Sequence, residues 1–299
     1  MQQVLPYIDS PNFFKGNMHT HSTYSDGDHS VEYVCGAYRD AGYDFLVMTD
    51  HFMERYEFPV TDSRPYRTEK FTTIIGAELH APETAVGETW HIKAIGLPLD
   101  FAPLGPDETG PEIAQRAFED GAFIGIVHPS WYGLTEQDAD ALPFAHSVEI
   151  YNHGSAVEVD RGNDWPYLDV LLNKGRRLTG YATDDAHQLT HDWLGGWVMV
   201  NADANEPDAL LNALKCGHFY SSQGPEIHNI RYDDEWIHVQ CSSAVNVSAQ
   251  GQGSRAQYER GEDLTDVRLP IRRFLGRWFR VTVTDAKGQR AWSNPVWLA

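Results

Sequence analysis

Near the start of the chain, His19-Thr20-His21 sets two imidazoles two residues apart, and Ser25-Asp26-Gly27 follows at once. On an extended strand, side chains at i and i+2 point to one face, so both rings can reach a single ion. Such a pair alone is as often an ordinary pair of surface or core histidines. Further along stand Thr49-Asp50-His51, Gly76-Ala77-Glu78, His91, His128-Pro129 and Asp184-Asp185-Ala186-His187. His19, His21, Asp26, His51, Glu78, His91, His128, Asp185 and His187 together form a donor set of imidazoles and carboxylates without thiolate. That chemistry suits Zn²⁺, Mn²⁺ or Fe²⁺ rather than Ca²⁺. Nine donors are too many for one tetrahedral ion and suffice for two or three. Divalent ions so held would activate water, lowering its pKa from ~15.7 toward ~7, and would need no Ser or Cys nucleophile. Phosphoesters, carbamates, esters and amides are all within reach of that chemistry.

The elements that must position these residues show in the apolar runs. Strands are predicted at 16–21, 44–50, 72–79, 91–97, 122–128, 147–152, 178–183 and 197–201, each rich in β-branched or aromatic residues and bounded by Gly, Pro or Asp. Helices are predicted at 31–41, 111–120, 166–174 and 207–216; the last three open with Pro and are followed by Gly121, Gly175 and Gly217. This alternation predicts a parallel sheet, open or closed into a barrel, whose sites form at the C-terminal ends of the strands. Nearly every donor falls at such an end; His91 is the exception, because it opens its strand. After Gly224 the period changes to two, in runs at 227–232, 236–241, 244–249 and 279–284. Asp285-Ala286-Lys287-Gly288 reads as a hairpin turn into 289–292. The expected division is residues 1–224 as the hydrolase barrel and 225–299 as a small antiparallel, sandwich-like β domain.

Charge follows the same division. Residues 1–224 carry 13 Lys and Arg against 34 Asp and Glu, and residues 225–299 carry 10 against 9. An acidic first part attracts cations and argues against duplex nucleic acid as a partner, since that needs basic surface. The three cysteines, Cys35, Cys216 and Cys241, are dispersed and imply neither a disulfide framework nor a thiolate metal site. No apolar run approaches the ~20 residues that span a bilayer, and the first residues lack the pattern of a signal peptide. A soluble, cytoplasmic protein acting on a small molecule is expected, with no indication of oligomeric state.

In order and spacing, His19-x-His21…Ser25-Asp26-Gly27, Thr49-Asp50-His51, Gly76-x-Glu78, His91, His128-Pro129 and Asp185-Ala186-His187 resemble the motifs of the PHP (polymerase and histidinol phosphatase) superfamily over residues 14–224. Ala291-Trp292-Ser293-Asn294-Pro295 is similar to the CehA/McbA-type branch of metallohydrolases. The resemblance implies an α/β fold, a distorted (β/α)7 TIM-like barrel. It also implies three sets of ligands: His19, His21, Glu78 and Asp185; Asp26, His51 and His187; and His91 with His128, which Glu78 bridges to the first set. The chain departs from the pattern at Asp184, where the family often has a small polar residue; an extra carboxylate there would orient a ligand or add negative charge.

Other residues beside the motifs have candidate roles. Asp50 would orient a metal-bound imidazole or cap its turn. His153 would protonate the leaving group, a role open also to a metal-held Asp or an outer water. Tyr24, Arg55 and Asn152 are candidates for substrate contact, and Trp131, Tyr132 and Tyr151 could, like Tyr24, stack on a ring. Arg55, Arg64, Arg67 and Lys70 interleave with Glu54, Glu57, Asp62 and Glu69, the pattern of a solvated mixed-charge loop. Arg272, Arg273, Arg277 and Arg280 would face the site, a second subunit or water. The leading expectation is hydrolysis of a small phosphoester, followed by hydrolysis of a carbamate, ester or amide, and then by a carbohydrate- or partner-binding protein with structural metals.

Overall fold

The computed structural model describes residues 1–8 and 12–298. Its strands are β1 (Gln2–Gln3), β2 (Phe13–Asn17), β3 (Phe45–Met48), β4 (His51–Phe52), β5 (Thr72–Ala81), β6 (Trp90–Ile95), β7 (Phe123–Ile126), β8 (Ser147–Asn152), β9 (Thr179–Thr183), β10 (Trp197–Asn201), β11 (Phe219–Ser222), β12 (Ile227–Tyr232), β13 (Trp236–Gly251), β14 (Ala256–Pro270), β15 (Trp278–Thr284), β16 (Arg290–Ser293) and β17 (Val296–Trp297). The α-helices among the described residues are α1 (Val31–Asp40), α2 (Gly110–Glu119), α3 (Pro129–Tyr132), α4 (Glu136–Asp140), α5 (His153–Val159), α6 (Trp165–Asn173) and α7 (Pro207–Lys215). Local chemistry marks their ends. Ser30 accepts from the Tyr33 N–H at the start of α1, and Thr109 with Glu112 closes a capping box on α2. Gly121 takes φ +92° just beyond α2, in the left-handed region that glycine enters without penalty.

Strand order gives a mixed α/β sheet rather than the expected parallel one. β2, β3 and β5 are parallel, as are β7, β8 and β9, but β6 runs antiparallel to both β5 and β7. This reversal accounts for His91. The first residues of an antiparallel strand lie at the same edge as the last residues of its neighbours, and His91 pairs in register with His80 near the end of β5. β10 pairs antiparallel with β2 and β11 with β10, and β11 continues through β16 into the C-terminal strands. Hydrogen bonding is therefore continuous across residue 224.

The C-terminal strands are antiparallel throughout, around a core that includes Val239, Val247, Phe274, Phe279 and Val281. Two expected strands there, 236–241 and 244–249, are one long strand with register shifts between Gln240 and Asn246. β14 was not predicted. Most of its side chains are exposed, and only Val267 and Leu269 near its end alternate buried with exposed, too short a stretch to mark the whole strand. Arg280 is buried and lies outside the cavity of the donor cluster: it forks onto both oxygens of Asp169 on α6 at 2.9 and 2.8 Å and covers the face of Trp165 at 3.9 Å.

The two ends of the β2–β9 run are tied by side chains. Asn17 Oδ1 accepts from the Thr183 hydroxyl at 2.6 Å and the Asp184 N–H at 3.0 Å. Beyond these strands, the Asp185 N–H donates to His19 O and the His21 N–H to Ala186 O, so residues 19–21 and 185–186 run side by side. Asp184 itself faces the other way. Fully buried, it accepts from the Tyr38 hydroxyl at 2.7 Å and from the N–H groups of Leu194, Gly195 and Gly196 at 2.9, 2.9 and 3.0 Å. Burial pushes its pKa up, against those four donors. The extra carboxylate thus anchors a loop. Asp184→Ala strands all four donors and is expected to destabilise the fold by roughly 3 kcal/mol or more in urea denaturation; a variant within experimental error of the parent would show that the loop holds without it.

Candidate metal centre

Glu78 is the hub. Fully buried on β5, it turns Oε1 to His91 Nδ1 at 2.9 Å and His128 Nε2 at 3.3 Å. Its Oε2 faces His51 Nδ1 at 2.9 Å, His19 Nε2 at 3.4 Å, His21 Nε2 at 3.6 Å and His80 Nε2 at 3.8 Å. Asp185 Oδ1 lies 3.0 Å from His19 and 3.1 Å from His21, while Asp26 Oδ1 lies 3.3 Å from His51 and 3.5 Å from His187. Among the described residues, four groups have donor atoms all within 4.8 Å of one another: His21, Asp26, His51 and His187; His51, Glu78, His80 and His91; His19, His21 and Asp185; and His19, Glu78 and His128. All nine donors singled out in the sequence meet here. A tenth, His80, joins them.

His80 is buried, two residues after Glu78 on the same strand, with Nε2 2.7 Å from His51 Nδ1. The i, i+2 spacing that drew attention to His19 and His21 is repeated by Glu78 and His80, and was the available signal. Glu149 was likewise missed, because a single acid inside a strand carries no pattern. It accepts from His19 Nδ1 at 2.8 Å, and its other oxygen accepts from the His128 N–H at 2.8 Å and the Asn152 amide at 3.0 Å. A carboxylate on Nδ1 leaves the Nε2 lone pair of His19 facing the cluster. Lys93, also buried, lies beneath; burial lowers its pKa to about 8 against the pull of Glu78, Glu149 and Asp185.

The remaining candidates take other places. Asn152 does not line the cavity: it holds Asp185 Oδ2 and Glu149 and caps α5 through the Ser155 N–H. Asp50 touches no imidazole; it gathers Ser22, Ser25 and Thr61, and Ser25 is the residue that meets His21 Nδ1, at 3.4 Å. His153 bonds the Tyr151 hydroxyl at 3.0 Å, packs against Gly195 and lies outside the cavity lining, and Tyr24 is exposed and also outside it. Tyr132 packs within 5.3 Å of the His91 ring, and Trp131 and Arg55 do line the cavity. Asp164 accepts from the Ser130 N–H and hydroxyl and so steadies the turn after His128, whose φ is +22°. With Asp185 at φ +58°, two of the donors sit on left-handed backbone, which few residues other than glycine adopt, and such contacts hold it.

The cavity, about 700 Å³, is lined by Asp26, His51, Glu78, His80, His91, His128, Asp185 and His187 among others. The cluster fits divalent ions on the chemistry of its donors and on what it leaves unsatisfied. His19 Nε2 and Glu78 Oε2 are buried and make no aligned hydrogen bond, although Asp185 Oδ1 and His51 Nδ1 stand 3.0 and 2.9 Å away, a state that bound cations relieve. All the free cysteines lie outside the lining. Burial would raise the Glu78 and Asp185 carboxyl pKa values, but the surrounding imidazoles outweigh it and hold both well below the usual range. Burial would likewise lower His51, yet Glu78 and Asp26 hold its pKa up at about 10.

The His51 proton is therefore bound at pH 7 in the metal-free protein and must leave when its nitrogen takes an ion. Metal uptake is expected to release protons at pH 7, and apparent affinity to rise with pH toward about 10; titration in weak buffer with no proton release would contradict this. Glu149→Gln is expected to weaken metal binding about 10- to 100-fold while the fold persists, measured by competition with a chelator.

No family profile matches the chain, and no curated protein matches it. Among solved structures it is similar to a two-domain protein containing a predicted PHP-like metal-dependent phosphoesterase from Bacteroides vulgatus, with 17% identity, a TM-score of 0.59, and coverage of 95% of this chain and 94% of that one. It is also similar to a provisional metal-dependent phosphoesterase from Bifidobacterium adolescentis, with 12% identity, a TM-score of 0.46, and 60% and 89% coverage. An amidohydrolase from Chromobacterium violaceum is similar at 12% identity, a TM-score of 0.41, and 59% and 89% coverage. The first likeness runs nearly the full length of both chains and concerns the fold.

Proposed function

We propose that this chain is a PHP-type phosphoesterase of the CehA/McbA-like branch, hydrolysing a small phosphoester at a centre of two or three divalent ions. The reading takes the curled β2–β9 run as the distorted barrel and the strands after residue 224 as an accessory β domain. The observation that carries it is Glu78, one buried carboxylate with six imidazoles around its two oxygens. A single ion has no use for so many donors.

Asp26, His51 and His187 would hold one ion at the outer side, and His19, His21 and Asp185 a second. His91 and His128 would hold a third, with Glu78 between them. When bound, such ions supply Lewis acidity, activating water and neutralising charge on phosphoryl oxygens. The chain's own residues supply the rest. Glu149 keeps His19 in one tautomer and fixes the backbone of His128, and Asn152 keeps Asp185 from turning away. Arg55, the one arginine or lysine among the described residues lining the cavity, stands 4.0 Å from Asp26 over the ring of Tyr56, where its guanidinium can fork onto phosphoryl oxygens. Trp131 packs at 5.5 and 5.1 Å from the His91 and His128 rings and closes that side of the cavity. Arg55 favours a phosphoester over an uncharged carbamate or amide, since those offer no oxyanion to pair with in the ground state.

Protein loaded with Mn²⁺ or Zn²⁺ is expected to bind two to three equivalents and to hydrolyse p-nitrophenyl or bis-p-nitrophenyl phosphate, with activity lost to chelator. Arg55→Ala is expected to raise KM about tenfold with less effect on kcat. Turnover of aryl carbamates alone would replace the phosphoester, and one equivalent of metal would exclude the multi-ion centre. Inactivity at full metal loading would point to a binding protein.

A further inference from the structure

A second cavity, about 540 Å³, opens beside the metal centre. Met53, His80 and Thr89 line both, so the two spaces adjoin across a shared wall that includes His80. Away from that shared wall the second cavity is lined by more apolar than polar residues, Phe58, Ala81 and Leu104 together with prolines, with no lysine or arginine among the described residues. Its one charged side chain is Glu54. The volume lies within the range of small-molecule pockets, roughly 300–1,000 Å³.

The wall is preformed. Phe58 follows Glu57, and both take left-handed backbone, φ +53° and +62°. A bulky aromatic adopts that conformation only where its surroundings compel it. The Phe58 ring packs 5.2 Å from Phe52, which packs 5.6 Å from Phe101, and Leu104 lies against the same core. Apolar surface held open beside a polar centre marks a place for an apolar ligand group.

We propose that this cavity receives the apolar portion, aryl or alkyl, of the substrate whose phosphoryl group lies at the metal centre; the inference rests on the phosphoesterase reading and adds the substrate class to it. Charge sets the orientation. The anionic end goes to the donor cluster and Arg55, and Glu54 repels it from the second cavity, which leaves that cavity to the uncharged end. The preferred substrates are phosphoesters of apolar alcohols or phenols rather than of small polar alcohols.

The test fills the cavity and compares substrates. Leu104→Trp, a position outside the donor cluster, is expected to raise KM for phenyl and octyl phosphate at least about tenfold, with ethyl phosphate changed less than about twofold. Where Trp prevents folding, Leu104→Ser removes the apolar wall with the same expectation. A KM change equal for all three esters overturns the proposal. Independently of turnover, metal-free protein is expected to bind phenol and n-octanol in saturation-transfer NMR, and Leu104→Trp to lose that binding. Alcohol binding that is absent from the parent, or unchanged in the variant, overturns the subsite even if phosphoesters are hydrolysed. Alcohol binding that behaves as expected, with no phosphoester turned over, supports the subsite and removes the phosphoesterase reading instead.

Discussion

A carboxylate out of contact with water is among the most expensive groups a protein can bury, and it is tolerated only where positive charge or strong donors surround it. Glu78 is such a group, and the rest of the site is arranged around it. Its two oxygens face two sets of imidazoles, Oε1 toward His91 and His128 and Oε2 toward His19, His21, His51 and His80. In the metal-free protein, protonated rings such as His51 supply the compensating charge. Divalent ions would supply it in the loaded one. The same ring of donors would thus balance the Glu78 charge with or without metal.

Meeting that need takes donors from strands far apart in the chain, and the topology provides them. Four strand ends, the return strand β6 and the 185–187 segment converge because β2 and β9 are stitched together at Asn17, Thr183 and Asp184. Two adjacent acids illustrate the economy. Asp184 points into a net of backbone N–H groups and fastens the loop, while Asp185, forced to positive φ, turns toward His19 and His21. Behind the donors, Glu149, Asn152 and Asp164 hold rings and turns in place.

Much of this was legible in the residues. Strands at 147–152 and 197–201 and the helices at 31–41, 111–120, 166–174 and 207–216 lie where the apolar periods and the proline and glycine punctuation set them, to within about a residue. β14 was not legible, since over its first eleven residues no buried position alternates with exposed ones. The direction of β6 was not either: the same run of residues pairs parallel or antiparallel, and only its neighbours choose.

By itself, the order of residues determined the donor chemistry, because imidazole and carboxylate at strand-end spacings leave few alternatives, and the acidic character of the first part of the chain. Tertiary structure decided which of the acids and rings face one another. It drew His80 and Glu149 into the site and set His153, Tyr24 and Asn152 outside the cavity. It also left a second cavity, with Phe58 and Leu104 in its wall, beside the donor cluster. The physical reason is that a side chain's neighbours across a sheet are set by strand register and direction, which arise from packing the whole chain and leave no mark on a local stretch of sequence.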